Sequence, residues 1–136
     1  FWTLAFSTMA SWALTRAFKI VMALKEKKTI NMRVLLSDGG MPSSHTAFVV
    51  GLTTSIYLEQ DLSLLSAAAI VFSIVIAHDA MHLRRFVGEQ SKALNKMNAG
   101  KKGWINLEEN VGHTPLEVIA GAIVGILVPV IVYALL

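Results

Sequence analysis

The stretch P-L-E-V-I-A-G-A-I-V-G-I-L-V-P-V-I-V-Y-A-L-L, Pro115 to Leu136, carries a single charge, Glu117. A run this long and apolar reads as a membrane-crossing helix. Three more apolar segments precede it. The first covers about Trp2 to Leu24, with Arg16 and Lys19 in its second half. The second, about His45 to Tyr57, is short for a span. The third, Leu62 to about Met81, contains S-A-A-A-I-V-F-S-I-V-I-A and is long enough to cross. No stretch alternates with period two, and only helices or closed barrels satisfy the backbone in lipid. The expected fold is therefore all-α: a polytopic transmembrane bundle of about four membrane segments, forming one integral-membrane domain over residues 1–136. Because the chain starts at Phe1 rather than Met, a trimmed N-terminus is expected.

Composition agrees. Hydrophobic residues make up 54% and charged residues only 15% of the chain, and mean hydropathy is +0.59. The absence of cysteine excludes disulfides and thiolate metal sites. A net charge of +3 suits a polyanion. Beside apolar segments the expected polyanion is anionic lipid, not nucleic acid.

The cations are placed unevenly. Lys25, Lys27, Lys28 and Arg33 follow segment one, and Arg84, Arg85, Lys92, Lys96, Lys101 and Lys102 follow segment three. The turn Glu59-Gln60-Asp61 between segments two and three has none. With four spans, all cations lie on or near one face, which the positive-inside rule makes cytoplasmic, and both ends of the chain lie opposite. The stretch R-R-F-V-G-E-Q-S-K-A-L-N-K-M from Arg84 reads as an amphipathic helix, with Phe86, Val87, Leu94 and Met97 toward the bundle or the interface. Its lysines, with Lys101 and Lys102, read as a surface facing headgroups. The stretch Asn98 to Gly103 reads as a loop.

Chemistry converges on the cationic face. Segment two begins at D-G-G-M-P-S-S-H, Asp38 to His45. Gly39 and Gly40 permit a tight turn, and Pro42 suits a helix start. The unpaired N–H groups of a first helical turn form an anion site, to which Ser43 and Ser44 add hydroxyls and His45 an acid/base group. Segment four begins at G-H-T-P-L-E, Gly112 to Glu117, with a second histidine at a second helix N-terminus. Arg84 and Arg85 end segment three nearby, and arginine forks match phosphate oxygens. This set suits a phosphate ester: one histidine to attack phosphorus, the other to protonate the leaving oxygen. Cations and N–H groups would stabilise the transition state without a metal or other cofactor.

These residues resemble the type 2 phosphatidic acid phosphatase superfamily, whose phosphate site is shared with vanadium haloperoxidases. That family carries the motifs K-x6-R-P, P-S-G-H and S-R-x5-H-x3-D. Pro42-Ser43-Ser44-His45 is similar to the second, with Ser for Gly, and His113-x3-Glu117 is similar to the end of the third, with Glu for Asp. The runs G-G-M-P-S-S-H and G-H-T-P-x-E-V point to a divergent branch of it. The resemblance covers about Lys19 to Gly125. It implies hydrolysis of a lipid phosphomonoester or diphosphate, with His113 as nucleophile forming a phosphohistidine, Glu117 orienting it and His45 protonating the leaving group. It implies phosphate binding by Ser43 and by Arg85 or Arg84. Ser44 and Lys19 join that set, and Asp79, Gly40 and Gly112 support it.

Two spacings depart from the family. Arg85 precedes His113 by 28 residues where the family has six, so the intervening stretch must loop out. The first motif is absent as written, leaving Lys19 or Lys28 to supply its cation.

Other readings of the same residues stand beside this one. Pro42-Ser43-Ser44-His45 and Thr114-Pro115-Leu116-Glu117 are also helix caps, the second a capping box. Arg84 and Arg85 also serve as interfacial anchors. His78-Asp79-x-x-His82 places two histidines at i,i+4, the spacing of a metal-binding pair. Asp79 alternatively pairs with Arg84, Arg85 or Lys19. Gly121-x-x-x-Gly125 suits close helix packing, inside the bundle or across a homodimer. A phospholipid-headgroup binder or scaffold with a degenerate site, and a His78/Asp79/His82 metalloprotein, are the competing functions.

Overall fold

Serine and threonine, not leucine, fill the interior of this protein. On helix α1, Trp2–Lys25, Ser7, Ser11 and Thr15 recur every four residues and so share one face. All three are buried, while Phe6, Met9, Leu14 and Phe18 are exposed. Such inversion is expected where the solvent is hydrocarbon: helices meet through small and hydroxyl residues, and bulky apolar side chains face lipid.

The computed structural model describes residues 1–25 and 40–136. Lys27, Lys28, Arg33, Asp38 and Gly39 lie outside the described residues. Among the described residues there are five helices and no strand. After α1 come α2, Ser44–Gln60; α3, Leu64–Met81; α4, Leu83–Met97; and α5, Pro115–Leu135. The expected segments and the expected amphipathic helix match these elements within about three residues at each end.

Helix α2 is the centre, packed on α1, α3 and α5. Ser7 and Ser55 share a hydrogen bond of 2.7 Å between their hydroxyls, joining α1 to α2. Thr53 and Ser73 do the same at 2.7 Å between α2 and α3. Each such bond between membrane helices contributes about 0.6 kcal/mol. On α5 the row Glu117, Gly121, Gly125, Pro129, Tyr133 runs along α2. A Cβ on Gly121 would overlap the Ser43 carbonyl oxygen. A Cβ on Gly125 would lie 2.8 Å from the Ala47 carbonyl oxygen and 2.9 Å from Gly51 N. Tyr133 donates its hydroxyl to Glu59 at 2.7 Å. The Gly-xxx-Gly pattern thus serves packing within the chain, against α2.

These pairings fix direction. Helices α2 and α5 run parallel, whereas α1 and α3 run antiparallel to α2. The N-termini of α2 and α5 and the C-terminus of α3 therefore share one end of the bundle. The start of α1 and the end of α5 lie at the other.

Two stretches are long and apolar enough to cross a bilayer, 64–97 and Pro115–Leu135. Their outward residues include Val71, Phe72, Ile74, Val75, Ile123 and Leu127, all exposed. Apolar exposure on this scale exceeds the patches of soluble monomers and fits a membrane protein. Among the described residues, α1 and α2 do not meet the same test. Helix α1 carries Arg16, Lys19 and Lys25, and α2 has only 17 residues.

Candidate active site

The shared end of the bundle is built by two capped helix starts. Ser43 is the N-cap of α2, accepting from Thr46 N at 3.3 Å and from the Thr46 hydroxyl at 3.0 Å. Both contacts use lone pairs, leaving the Ser43 proton available to donate. Ser44 follows at the first helical position, its Oγ enclosed with no hydrogen-bond partner among the described residues. His45 is half-buried with Nδ1 enclosed. Gly40, with φ +86°, sits in the turn ahead, and the Met41–Pro42 peptide is cis.

Helix α5 starts with a full capping box. Thr114 Oγ1 accepts from Glu117 N at 3.4 Å, and Glu117 Oε2 accepts from Thr114 N at 3.2 Å. The same carboxylate oxygen lies 2.9 Å from His113 Nδ1. The capping role and the histidine-orienting geometry therefore coexist in Glu117. A carboxylate only accepts, so Nδ1 carries the proton and the lone pair of neutral His113 falls on Nε2. The His113 side chain is fully buried.

Three backbone contacts join these starts to each other, to α3 and to α4. Ser43 N–H donates to the Glu117 carbonyl at 3.0 Å, and His113 N–H donates to the Ala80 carbonyl at 2.9 Å. Gly112, at φ +93°, rests on Arg84 and Arg85, where an added Cβ would lie 2.6 Å from Arg85 N. The 28-residue separation between Arg85 and His113 is bridged by Gly112, which precedes His113 and packs on the Arg84–Arg85 backbone.

The side chains of the two arginines diverge. Arg84 Nε pairs with Asp79 Oδ2 at 3.5 Å, and its side chain is 35% exposed. Arg85 pairs with Glu89 at 3.5 Å and is 64% exposed. Asp79 thus pairs with Arg84, one of the three partners expected for it. Lys19 lies on α1 four residues beyond buried Thr15 and is half-buried. His78 and His82 stack, ring centroids 4.2 Å apart. Among the described residues no group of three His, Cys, Asp or Glu is placed to hold a metal ion.

Sequence reasoning missed what holds the looped-out stretch. Asn95 donates to the Leu107 carbonyl at 2.9 Å and to Glu109 Oε1 at 2.8 Å. Its own oxygen accepts from Trp104 Nε1 at 3.2 Å and Leu107 N at 2.9 Å. Gly88 lets this strap close on α4, since a Cβ there would lie 2.7 Å from the Glu109 carbonyl oxygen. An isolated glycine inside a helical pattern was the available signal. For Asn95 there was none.

Comparison with known proteins places the chain in a family. The family described as divergent PAP2 matches residues 3–128. The uncharacterized membrane protein YuiD of Bacillus subtilis (strain 168) is 30% identical, over 92% of this chain and 90% of that protein. No solved structure matches the chain.

Proposed function

The chain belongs to the divergent PAP2 family, and from that premise we propose that it hydrolyses a lipid phosphomonoester or diphosphate through a phosphohistidine. The observation carrying this reading is the His113–Glu117 pair, 2.9 Å apart at paired helix starts. Glu117 holds the His113 tautomer whose Nε2 can attack phosphorus. The P–N bond forms as the ester P–O bond breaks, and His45 gives its proton to the leaving oxygen. Water then attacks phosphorus, His45 takes its proton, and the P–N bond breaks to release phosphate. The free proton of Ser43, the hydroxyl of Ser44, the first N–H groups of α2 and the guanidinium of Arg84 suit the phosphoryl oxygens. Arg85, turned toward Glu89, is the weaker choice, and Lys19, half-buried on α1, is the described candidate for the lost first-motif cation. The site faces the cytoplasm in this proposal, because the cations after α3 gather at its end of the bundle.

Headgroup binding without turnover is the second reading. It is favoured by the enclosure of His113 Nε2, which phosphorus reaches only after the groups over it part. Phosphate release from a panel of lipid phosphates, in detergent with EDTA, separates the two. Release by the natural protein that vanishes in His113→Ala supports hydrolysis. Lipid binding with no release supports the second reading.

A further inference from the structure

Helix α4 has three faces. At 3.6 residues per turn, Arg84, Gly88, Ser91 and Asn95 share one side. That side meets the strap through Gly88 and Asn95. A second side carries Leu83, Phe86, Val87, Leu94 and Met97, exposed at 63%, 57%, 50%, 43% and 75%. The third carries Arg85, Glu89, Lys92 and Lys96. The sequence left open whether the apolar residues turn to the bundle or the interface, and the structure turns them away from the bundle. Ile105 on the strap is exposed as well, at 77%.

Helix α4 follows the membrane-long α3 with only His82 between them. The apolar stripe therefore begins where α3 ends, at the boundary between hydrocarbon and headgroups. Its charged side keeps α4 out of the hydrocarbon itself. Charge then selects the headgroup. Arg85 is paired with Glu89, and Glu109 accepts from Asn95. Among the described residues Lys92, Lys96 and Lys102 have no ion pair. Unpaired lysines flanking an exposed apolar stripe suit an anionic phospholipid surface.

We propose that α4 and the strap dock as one unit on anionic phospholipid of the leaflet that α3 leaves, and that this docking sets the position of the His113 loop. The connection is physical: Asn95 and Gly88 tie the strap to α4, Gly112 rests on the backbone of Arg84 and Arg85, and His113 N–H bonds Ala80. The proposal needs no turnover and stands apart from the phosphatase reading.

The chain lacks cysteine, so single-cysteine variants of the full chain can report each face. Fluorophores on Leu94→Cys, Met97→Cys and Glu89→Cys would be compared in vesicles of phosphatidylcholine and of equimolar phosphatidylcholine and phosphatidylglycerol. The Leu94 and Met97 labels should be quenched by brominated acyl chains and shielded from acrylamide, more strongly with phosphatidylglycerol. The Glu89 label should stay accessible in both. Each lysine favours an anionic surface by about fivefold, so the triple variant Lys92→Glu, Lys96→Glu, Lys102→Glu should lose the lipid dependence. Hydrogen exchange over residues 104–112 should slow with phosphatidylglycerol in the natural chain and not in the triple variant. Equal acrylamide access at Leu94, Met97 and Glu89 would overturn docking. Shielding indifferent to lipid and to the triple variant would overturn the anionic preference. Docking with unchanged strap exchange would overturn the link to His113.

Discussion

Adding one methyl group at Gly121 should disable the site from behind. In Gly121→Ala the new Cβ overlaps the Ser43 carbonyl oxygen and lies 3.2 Å from Ser43 C and Cβ. The obstacle is backbone of a neighbouring helix, so no rotamer change relieves it. Helix α2 must withdraw by on the order of 1 Å, against a cost of about 1–3 kcal/mol for overpacking. Withdrawal stretches the 3.0 Å bond from Ser43 N–H to the Glu117 carbonyl and carries Ser43, Ser44 and His45 away from His113. A misplacement of that size lowers turnover by about a hundredfold. Gly125→Ala meets Ala47 O at 2.8 Å and Gly51 N at 2.9 Å, one turn farther along. It should destabilise comparably and slow turnover less. Ile123→Ala, on the outward face of α5, should do neither. Unfolding in detergent and phosphate release, measured on the same preparations, test all three. Gly121→Ala with natural stability would refute the packing argument. Loss of stability with natural turnover would refute the placement of the site at this contact.

Other outcomes follow from the same geometry. Asn95→Ala removes four hydrogen bonds that are partly exposed, so a loss of about 2–4 kcal/mol is the upper range, with faster hydrogen exchange over residues 104–112. Exchange unchanged there would show that Asn95 does not hold the strap. Glu117→Gln retains an acceptor for Thr114 N–H but loses the charge facing His113, so turnover should fall about tenfold while stability changes by less than about 1 kcal/mol. Equal damage to both would reduce Glu117 to a cap. His45→Ala should slow substrates with poor leaving groups most, and uniform slowing would remove it as the acid. At the opposite end, the Tyr133 hydroxyl holds the Glu59 carboxyl below the usual carboxylate range. A lowered carboxyl stabilises the fold above its unfolded-state range, and that contribution fades as pH falls through the folded value. Tyr133→Phe should therefore flatten the acid side of the stability profile, and an unaltered profile would contradict this.

Much of the fold was legible because membrane segments announce themselves by length and hydropathy. Pro115–Leu135 and the α3 segment were readable as spans, and the Thr114–Glu117 capping box is present as its residues suggested. The inward row Ser7, Ser11, Thr15 was written in the spacing, yet it is hidden from any search that looks for apolar cores. The contrast between Arg84 and Arg85 was not legible. It depends on the helical phase after a one-residue break at His82, which adjacent identical side chains cannot reveal. Asn95 was invisible for another reason: its partners lie 9 to 14 residues away in a loop whose path no local signal fixes.

The central claim is that His113 Nε2 becomes covalently bound to phosphorus. The direct measurement is rapid denaturation of the protein during turnover of a phosphate-labelled lipid, followed by mapping of acid-labile label on the chain. Label should appear on the peptide containing His113, be absent in His113→Ala, and accumulate in His45→Ala with a good leaving group, where breakdown is slowed. Phosphate release without label on His113, or label surviving in His113→Ala, would contradict it.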